Sequence, residues 1–310
     1  MKLTSTNPSR NYETIGEVEA STEQQIKDAV AKARLSQPAW AALSQLERNS
    51  AIESLAEIIK QHGDELAELM SKEMGKPIAQ AKAQVDELVG HFRDQIQMAD
   101  KALASEVVFE NDAERHHQVR EPLGVIACIS PWNFPLLNIP WQAGQALIAG
   151  NTVVFKHSEE VILFSAKIAQ LVIESRLPEG VFGIVLGDGL VGETLVRQPV
   201  DAILFTGSTH TGQKITELAA KTSTRVLTEM GGSAPGSGGG IALPRGETAV
   251  ALARHPGRPR IDRLQVRQHG RGRPVQAVQV DAVEARPARL VGHAVVVRAE
   301  PGHEVAHVGV

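Results

Sequence analysis

Cysteine is almost absent: the 310 residues contain one, Cys128. A single thiol excludes an internal disulfide and any cysteine-rich metal site, so no metal centre is expected. Long apolar runs are lacking too. The longest apolar region, around Pro131 to Phe155, is cut by Pro135, Asn138, Pro140, Gln142 and Gln145. No early segment has the basic, apolar and small-residue order of a signal peptide. Neither export nor a membrane partner is expected, which leaves the cytoplasm as the expected location. A hydrophobic content of 42% and a net charge of −4 are ordinary for a soluble protein with a real core. The length suits two domains, or one large domain with an appendage.

Further absences divide the chain. Residues 237–310 contain no Lys, Asn, Phe, Tyr, Trp, Met or Cys, but hold eleven Arg against six acidic residues. Their charge is +5, and that of residues 1–236 is −9. The residues that the tail lacks have mostly AT-rich codons; those it favours (Arg, Gly, Pro, Ala, Val) have GC-rich ones. The pattern points to GC-rich DNA read in a frame not selected for protein. Breakers recur too often in HPGRPRIDRLQVRQHGRGRPVQ for a helix, and a largely disordered tail is expected. Nucleic-acid binding by these arginines is disfavoured, because the tail has no aromatic residue for base stacking and its acids dilute the charge.

What is present before residue 237 is periodic. Residues 8–20 read as short extended segments. Thr22 to Gln25 reads as a capping box, followed by Ile26, Val30 and Ala33 at helical spacing. Two more helices are suggested by Ile52, Leu55, Ile58 and Ile59 and by Leu66, Leu69 and Met70. Gly75-Lys76-Pro77 ends that run, and Ile78 to Leu103 gives another long helical pattern. These stripes read as core-facing.

From Gly124 the texture changes to short apolar runs split by turns. GVIACIS, TVVFK, FGIVLG, AILFTG and TRVLTEM read as strands. Trp141–Ala149, Ser165–Ser175, Gly192–Arg197 and Gly212–Lys221 read as helices. The alternation predicts a parallel, doubly wound sheet, whose ligands sit beyond the carboxyl ends of the strands. Polar signals cluster at those ends. GSTHTG (Gly207 to Gly212) could turn the backbone tightly and offer helix N–H groups to a pyrophosphate, though such turns also serve simple packing. In FKHSE, Lys156 and Glu159 could bond ribose hydroxyls, or form a solvated surface pair. PWNFP holds Asn133 between two prolines, as an oxyanion hole would require; an aromatic structural turn is the alternative. Glu229 ends a strand expected to be buried, before Gly231 and Gly232. A desolvated carboxylate there would have a raised pKa suited to a general base. EMGKP, at Glu73, reads as a helix end rather than a site.

In this order and spacing, NPSRNYETIGEV, EMGKP, EPLGVIACISPWNFP, AGNTVVFKHSE, LPEGVFGIVLGDG, ILFTGSTHTG and LTEMGGSAPG resemble the aldehyde dehydrogenase superfamily. The likeness covers about Asn7 to Gly236, with a succinate-semialdehyde dehydrogenase flavour. It implies an α/β fold: an N-terminal helical layer plus a Rossmann-like doubly wound parallel sheet, with the cofactor-binding domain at 1–236 and a non-homologous tail at 237–310. It also implies roles. Asn133 would donate to the oxyanion. Ser130, Trp132, Lys156, Ser158 and Glu159 would line the adenosine-ribose end of NAD, while Gly187, Gly207 and Ser208 would follow the pyrophosphate. Met230 would present its backbone near the nicotinamide, and Glu229 would activate water. Glu159 disfavours a 2′-phosphate by repulsion, so NAD is expected over NADP. His157 stands where proline is common.

The family mechanism needs a cysteine that attacks an aldehyde, passes hydride to NAD(P)+ and releases a carboxylic acid by hydrolysis. It is expected within RPRIDRLQVRQHG, which contains none. Cys128 reads as a small core residue. The expectation is therefore a truncated, frame-disrupted member, inactive as written and without the strand that closes the family's homo-oligomer. A nucleotide-binding or interaction protein without catalysis is the alternative.

Overall fold

The computed structural model describes residues 1–231 and 293–299, all within one compact unit. The chain opens with an antiparallel pair, β1 (Lys2–Asn7) and β2 (Glu13–Glu19). Four helices follow: α1 (Glu23–Ala42), α2 (Gln45–Gln61), α3 (Gly63–Met74) and α4 (Ile78–Leu103). The expected capping box starts α1. Thr22 Oγ1 accepts from the Gln25 amide at 3.2 Å, and Gln25 Oε1 accepts from the Thr22 amide at 2.8 Å. Ser44 and Glu47 start α2 in the same way. Gly75 ends α3 in the left-handed region at φ 69°, a conformation that glycine reaches without strain. The apolar stripes of α2, α3 and α4 face one common core, as their spacing predicts.

Strands β3 (Glu106–Glu110) and β4 (Arg115–Pro122) form a hairpin that the sequence pattern did not foretell. Its residues are exposed or half-buried, so no apolar alternation marks it. A strand of residues 293–299, β10 (His293–Ala299) below, pairs antiparallel with β4 through seven register pairs. The wider tail expectation, that it is disordered, falls on residues outside those described.

The parallel sheet contains β5 (Val125–Ile129), β6 (Thr152–Lys156), β7 (Phe182–Ile184), β8 (Ala202–Ser208) and β9 (Arg225–Gly231), in the order β7-β6-β5-β8-β9. Central β5 is buried on both faces. Ile126 and Cys128 enter the core beneath α2–α4, and Val125, Ala127 and Ile129 enter a second core. Helix α1 packs on that second side, as do α7 (Gly189–Val196) and α8 (Thr209–Ala220), whereas α6 (Ile162–Glu174) packs on the first. Layers on both faces make the fold doubly wound, as expected.

Two local departures have physical causes. The helix expected at Trp141–Ala149 is a π-helical turn, Ile139–Gly144, running into α5 (Gln145–Ile148). Pro140 has no N–H for a regular ladder, and its carbonyl accepts from Gln95 Nε2 of α4 at 2.8 Å. A Cβ on Gly144 would lie 2.8 Å from Gln95 Oε1 and 2.9 Å from Phe92, so only glycine admits α4 so closely. Helix α8 starts three residues earlier than expected. Ser208 caps it, accepting from the Thr211 amide at 3.2 Å, so GSTHTG passes directly from strand to helix.

Candidate functional site

The carboxyl ends of β5, β6 and β8 open onto a cavity of about 450 Å³, bounded also by α7 and α8. Of the residues singled out by sequence, Ser130, Trp132, Lys156, Ser158, Glu159, Gly207 and Ser208 all line it. They come from three separate stretches, brought together by the parallel register: Ile129 lies beside Lys156 and Phe205. This is the crevice that doubly wound sheets use for ligands.

Lys156 is 4% exposed, and burial holds its ammonium below the usual lysine range. Glu159 stands one turn on, with Oε2 3.4 Å from Lys156 Nζ. Gly192 of α7 makes room for the lysine: a Cβ there would already touch Lys156 Cδ at 3.5 Å. Beside Lys156, whose carbonyl accepts from the Ser130 amide at 3.0 Å, Ser130 is buried and its Oγ has no hydrogen-bond partner among the described residues. A buried hydroxyl without a partner is unfavourable unless a ligand or water completes it. Trp132 is 47% exposed at the rim and offers an aromatic face.

Some of the expected side chains already bond within the protein. Ser158 accepts from the Glu160 amide at 3.4 Å, and Ser208 also bonds Thr211 Oγ1 at 2.9 Å. Asp188 caps α7 by accepting from Leu190 and Val191. Gly187 lies at this turn but outside the cavity lining; a Cβ on it would clash with Val191.

Asn133 lies beyond the cavity lining in the exposed first half of a loop, Pro131 to Asn138, whose second half is buried and whose backbone is held firmly. Lys76 Nζ donates to the Asn133 carbonyl at 2.9 Å, and the Asn138 amide donates to Phe134 O at 3.0 Å. His157 Nε2 donates to Pro135 O at 3.1 Å. A carbonyl only accepts, so the proton sits on Nε2, and Nδ1 accepts from Ser165 Oγ at 3.1 Å. Burial drives the His157 pKa down to about 3, which keeps the ring neutral. Asn133 itself is exposed.

Glu229 and Met230 end β9, next to Thr206 and Gly207 of β8. Here the structure corrects the sequence: among the described residues β9 is the edge of the sheet, and Glu229 is exposed rather than buried. Alternate β9 side chains meet solvent, so the apolar pattern of VLTEM marks only one covered face. Met230 packs over Gly212, where a Cβ would lie 2.9 Å from its Cγ. Neither residue reaches the cavity lining.

Gly189, in the strand-end signal Gly187-Asp188-Gly189, also lines the cavity, whereas sequence reasoning missed Thr206, Gly192, Glu193 and Lys214. The glycines at the start of α7 carried a usable signal, because GDGLVG follows a strand end. Lys214 carried none; it faces the crevice only because α8 begins at Thr209. The EMGKP segment is also more than a helix end. Glu73 is 4% exposed and accepts from Ser5 Oγ (2.7 Å) and the amides of Leu163 (2.8 Å) and Phe164 (2.7 Å).

Cys128 is fully buried mid-strand in β5, beside Phe155 and Leu204, and burial pushes its thiol pKa up. Among the described residues no group of three or more His, Cys, Asp or Glu side chains could hold a metal ion. No described helix is long and apolar enough to cross a membrane.

Comparison with known proteins agrees with this architecture. The family model "Aldehyde dehydrogenase family" matches residues 1–236. The betaine aldehyde dehydrogenase of Bacillus subtilis is 38% identical over 234 residues, covering 74% of this chain and 47% of its own. The NADP(+) succinate-semialdehyde dehydrogenase GabD of Escherichia coli is 35% identical over 233 residues, with 74% and 48% covered. Among solved structures, a putative aldehyde dehydrogenase from Burkholderia cenocepacia matches with TM-score 0.70 at 37% identity, over 75% of this chain and 48% of that one. PnpE in complex with nicotinamide adenine dinucleotide matches with TM-score 0.70 at 36% identity and the same coverage. The chain spans about half the length of the curated relatives it matches. With a family match over most of its residues, and a parallel sheet and crevice to go with it, the chain belongs to the aldehyde dehydrogenase family.

Proposed function

We propose that residues 1–236 are the cofactor-holding half of an NAD-dependent aldehyde dehydrogenase, with NADP as the alternative cofactor. The carrying observation is the crevice where Ser130, Lys156, Glu159, Gly207 and Ser208 converge. The residues fit such a group: Ser130 Oγ lacks a partner, and Gly192 leaves space beside Lys156. Lys156 would donate to the ribose hydroxyls, and Glu159 would accept from the 2′-hydroxyl while repelling a 2′-phosphate. Gly207 and Ser208 would lie along the pyrophosphate, with Gly187 behind them. Bound NAD supplies the hydride acceptor. Asn133 would donate to the oxyanion formed from an aldehyde, Met230 would flank the nicotinamide, and Glu229 would activate water. Support for the last two roles is their register beside Thr206 and Gly207.

We further propose that the 310 residues do not by themselves oxidise aldehydes. The only thiol, Cys128, is buried and protonated in β5, where it meets neither aldehyde nor water. Removal of a covalent nucleophile lowers turnover by several orders of magnitude. The test couples two assays on one preparation: NADH titration by fluorescence, and aldehyde-dependent formation of NADH. Binding without turnover supports both statements. Turnover that Cys128→Ser abolishes would refute the second, and absence of binding would refute the first.

A further inference from the structure

The corner Gly75-Lys76-Pro77 joins α3 to α4, and its geometry is rigid. Gly75 takes a left-handed turn, and the proline fixes the start of α4 at φ −53°. From this corner the half-buried Lys76 side chain reaches across to the Pro131–Asn138 loop, 57 residues further along. Its Nζ makes two contacts there at once. It donates to the Asn133 carbonyl at 2.9 Å, and it lies 4.3 Å from the centroid of the Phe134 ring. Phe134 in turn meets Trp141 at 5.9 Å, and Trp141 meets His91 of α4 edge-on at 5.6 Å. Within this loop, His157 fixes the Pro135 carbonyl from the core side, leaving Asn133 to be fixed from outside.

We propose that Lys76 is a positioning residue for Asn133: its ammonium clamps the Asn133 carbonyl and caps the Phe134 ring, setting how the Asn133 amide and Trp132 face the crevice. The inference rests on the reading of that crevice as the dinucleotide site. The ammonium suits both contacts as no neutral side chain does. A charged donor strengthens the bond to the carbonyl, and the ring face attracts a cation. Partial burial pulls the Lys76 pKa down, and the nearby Glu87 on α4 opposes that shift. With the clamp gone, the loop keeps its inner attachment at Pro135 but swings at Asn133. Trp132 and Trp141 then move against solvent, while Trp40 stays fully buried and reports none of the change.

The test compares the 310-residue chain with Lys76→Met and Lys76→Arg. Acrylamide quenching of tryptophan emission reads the loop, and NADH titration reads the crevice. Loss of one charged hydrogen bond is expected to weaken NADH binding by about fivefold and to raise quenching in Lys76→Met. Lys76→Arg, which keeps the charge and the donor, is expected to restore both. A thermal melt close to wild type would accompany this, since Lys76 stands outside both cores. If Lys76→Met does not fold, Lys76→Gln is read in the same way. Unchanged quenching in the variant overturns the proposal, as does equal loss in the Met and Arg variants. If wild type itself binds no NADH, the crevice reading fails, and quenching alone still decides on the clamp.

Discussion

His157 shows how one side chain links core, loop and pH. It lies between Phe155 (4.6 Å between centroids) and Phe164 (5.5 Å) and is fully enclosed. Its folded pKa of about 3 lies below the ordinary 6.5, so the native state resists protonation that the unfolded chain accepts. Its contribution is therefore complete above pH 6.5 and is lost as pH falls towards 3. Over that window the loss is about 1.4 kcal/mol per pH unit. His157→Gln keeps a donor for Pro135 and an acceptor for Ser165 but cannot titrate. Urea unfolding at pH 7, 6 and 5 is expected to show wild type losing stability faster than the variant. Parallel pH dependence would mean that the histidine is already charged in the fold.

Glu73 does at the scale of elements what His157 does for a loop. Its carboxylate caps α6 and holds Ser5 of β1, joining the first hairpin to the helical layer. Burial raises its pKa above the ordinary 4.5, with the amides of Phe164 and Leu163 and the Ser5 hydroxyl opposing. Its proton-linked contribution is thus complete below pH 4.5 and declines as pH rises through the raised value, opposite in direction to His157. Glu73→Ala strands three donors, two of them buried, and is expected to destabilise by about 2–4 kcal/mol. Amide exchange at Leu163 and Phe164 should quicken with it; unchanged exchange there would show that the cap is dispensable.

Elements with a strong period were legible in the sequence, and those without one were not. The capping box at Thr22, the helix Ile78–Leu103 and the strands around Cys128 follow from spacing and cap chemistry alone. The hairpin of β3 and β4 was not legible, because EVVFE is exposed at every position and has no buried face to alternate with. Nor was the π-helical turn, which depends on Pro140 meeting Gln95 from a distant helix. At the site, residues at strand ends were found because turn chemistry marks them. Lys76 and Lys214 were not, since their places depend on how one element packs on another.

For the whole molecule, the crevice is expected to work without any contribution from the lone thiol. Cys128→Ser should leave NADH affinity unchanged, because Cys128 enters the core beneath α2–α4 rather than the cavity lining. A small loss of stability is expected, as a hydroxyl replaces a buried thiol without a partner. A changed affinity would place the sulfur nearer the ligand than the fold does. Gly192→Leu should do the reverse, filling the space beside Lys156 and blocking the ligand while α7 stays folded. Circular dichroism alongside the titration separates blockage from unfolding.

The most direct measurement is calorimetric titration of NADH into the 310-residue chain, with Gly192→Leu as control. Saturable binding of one NADH per chain is expected, abolished or weakened at least about tenfold in the control, a loss of about 1.4 kcal/mol. No saturable binding to the folded wild type, or equal binding to both proteins, would contradict the assignment of the crevice as the dinucleotide site.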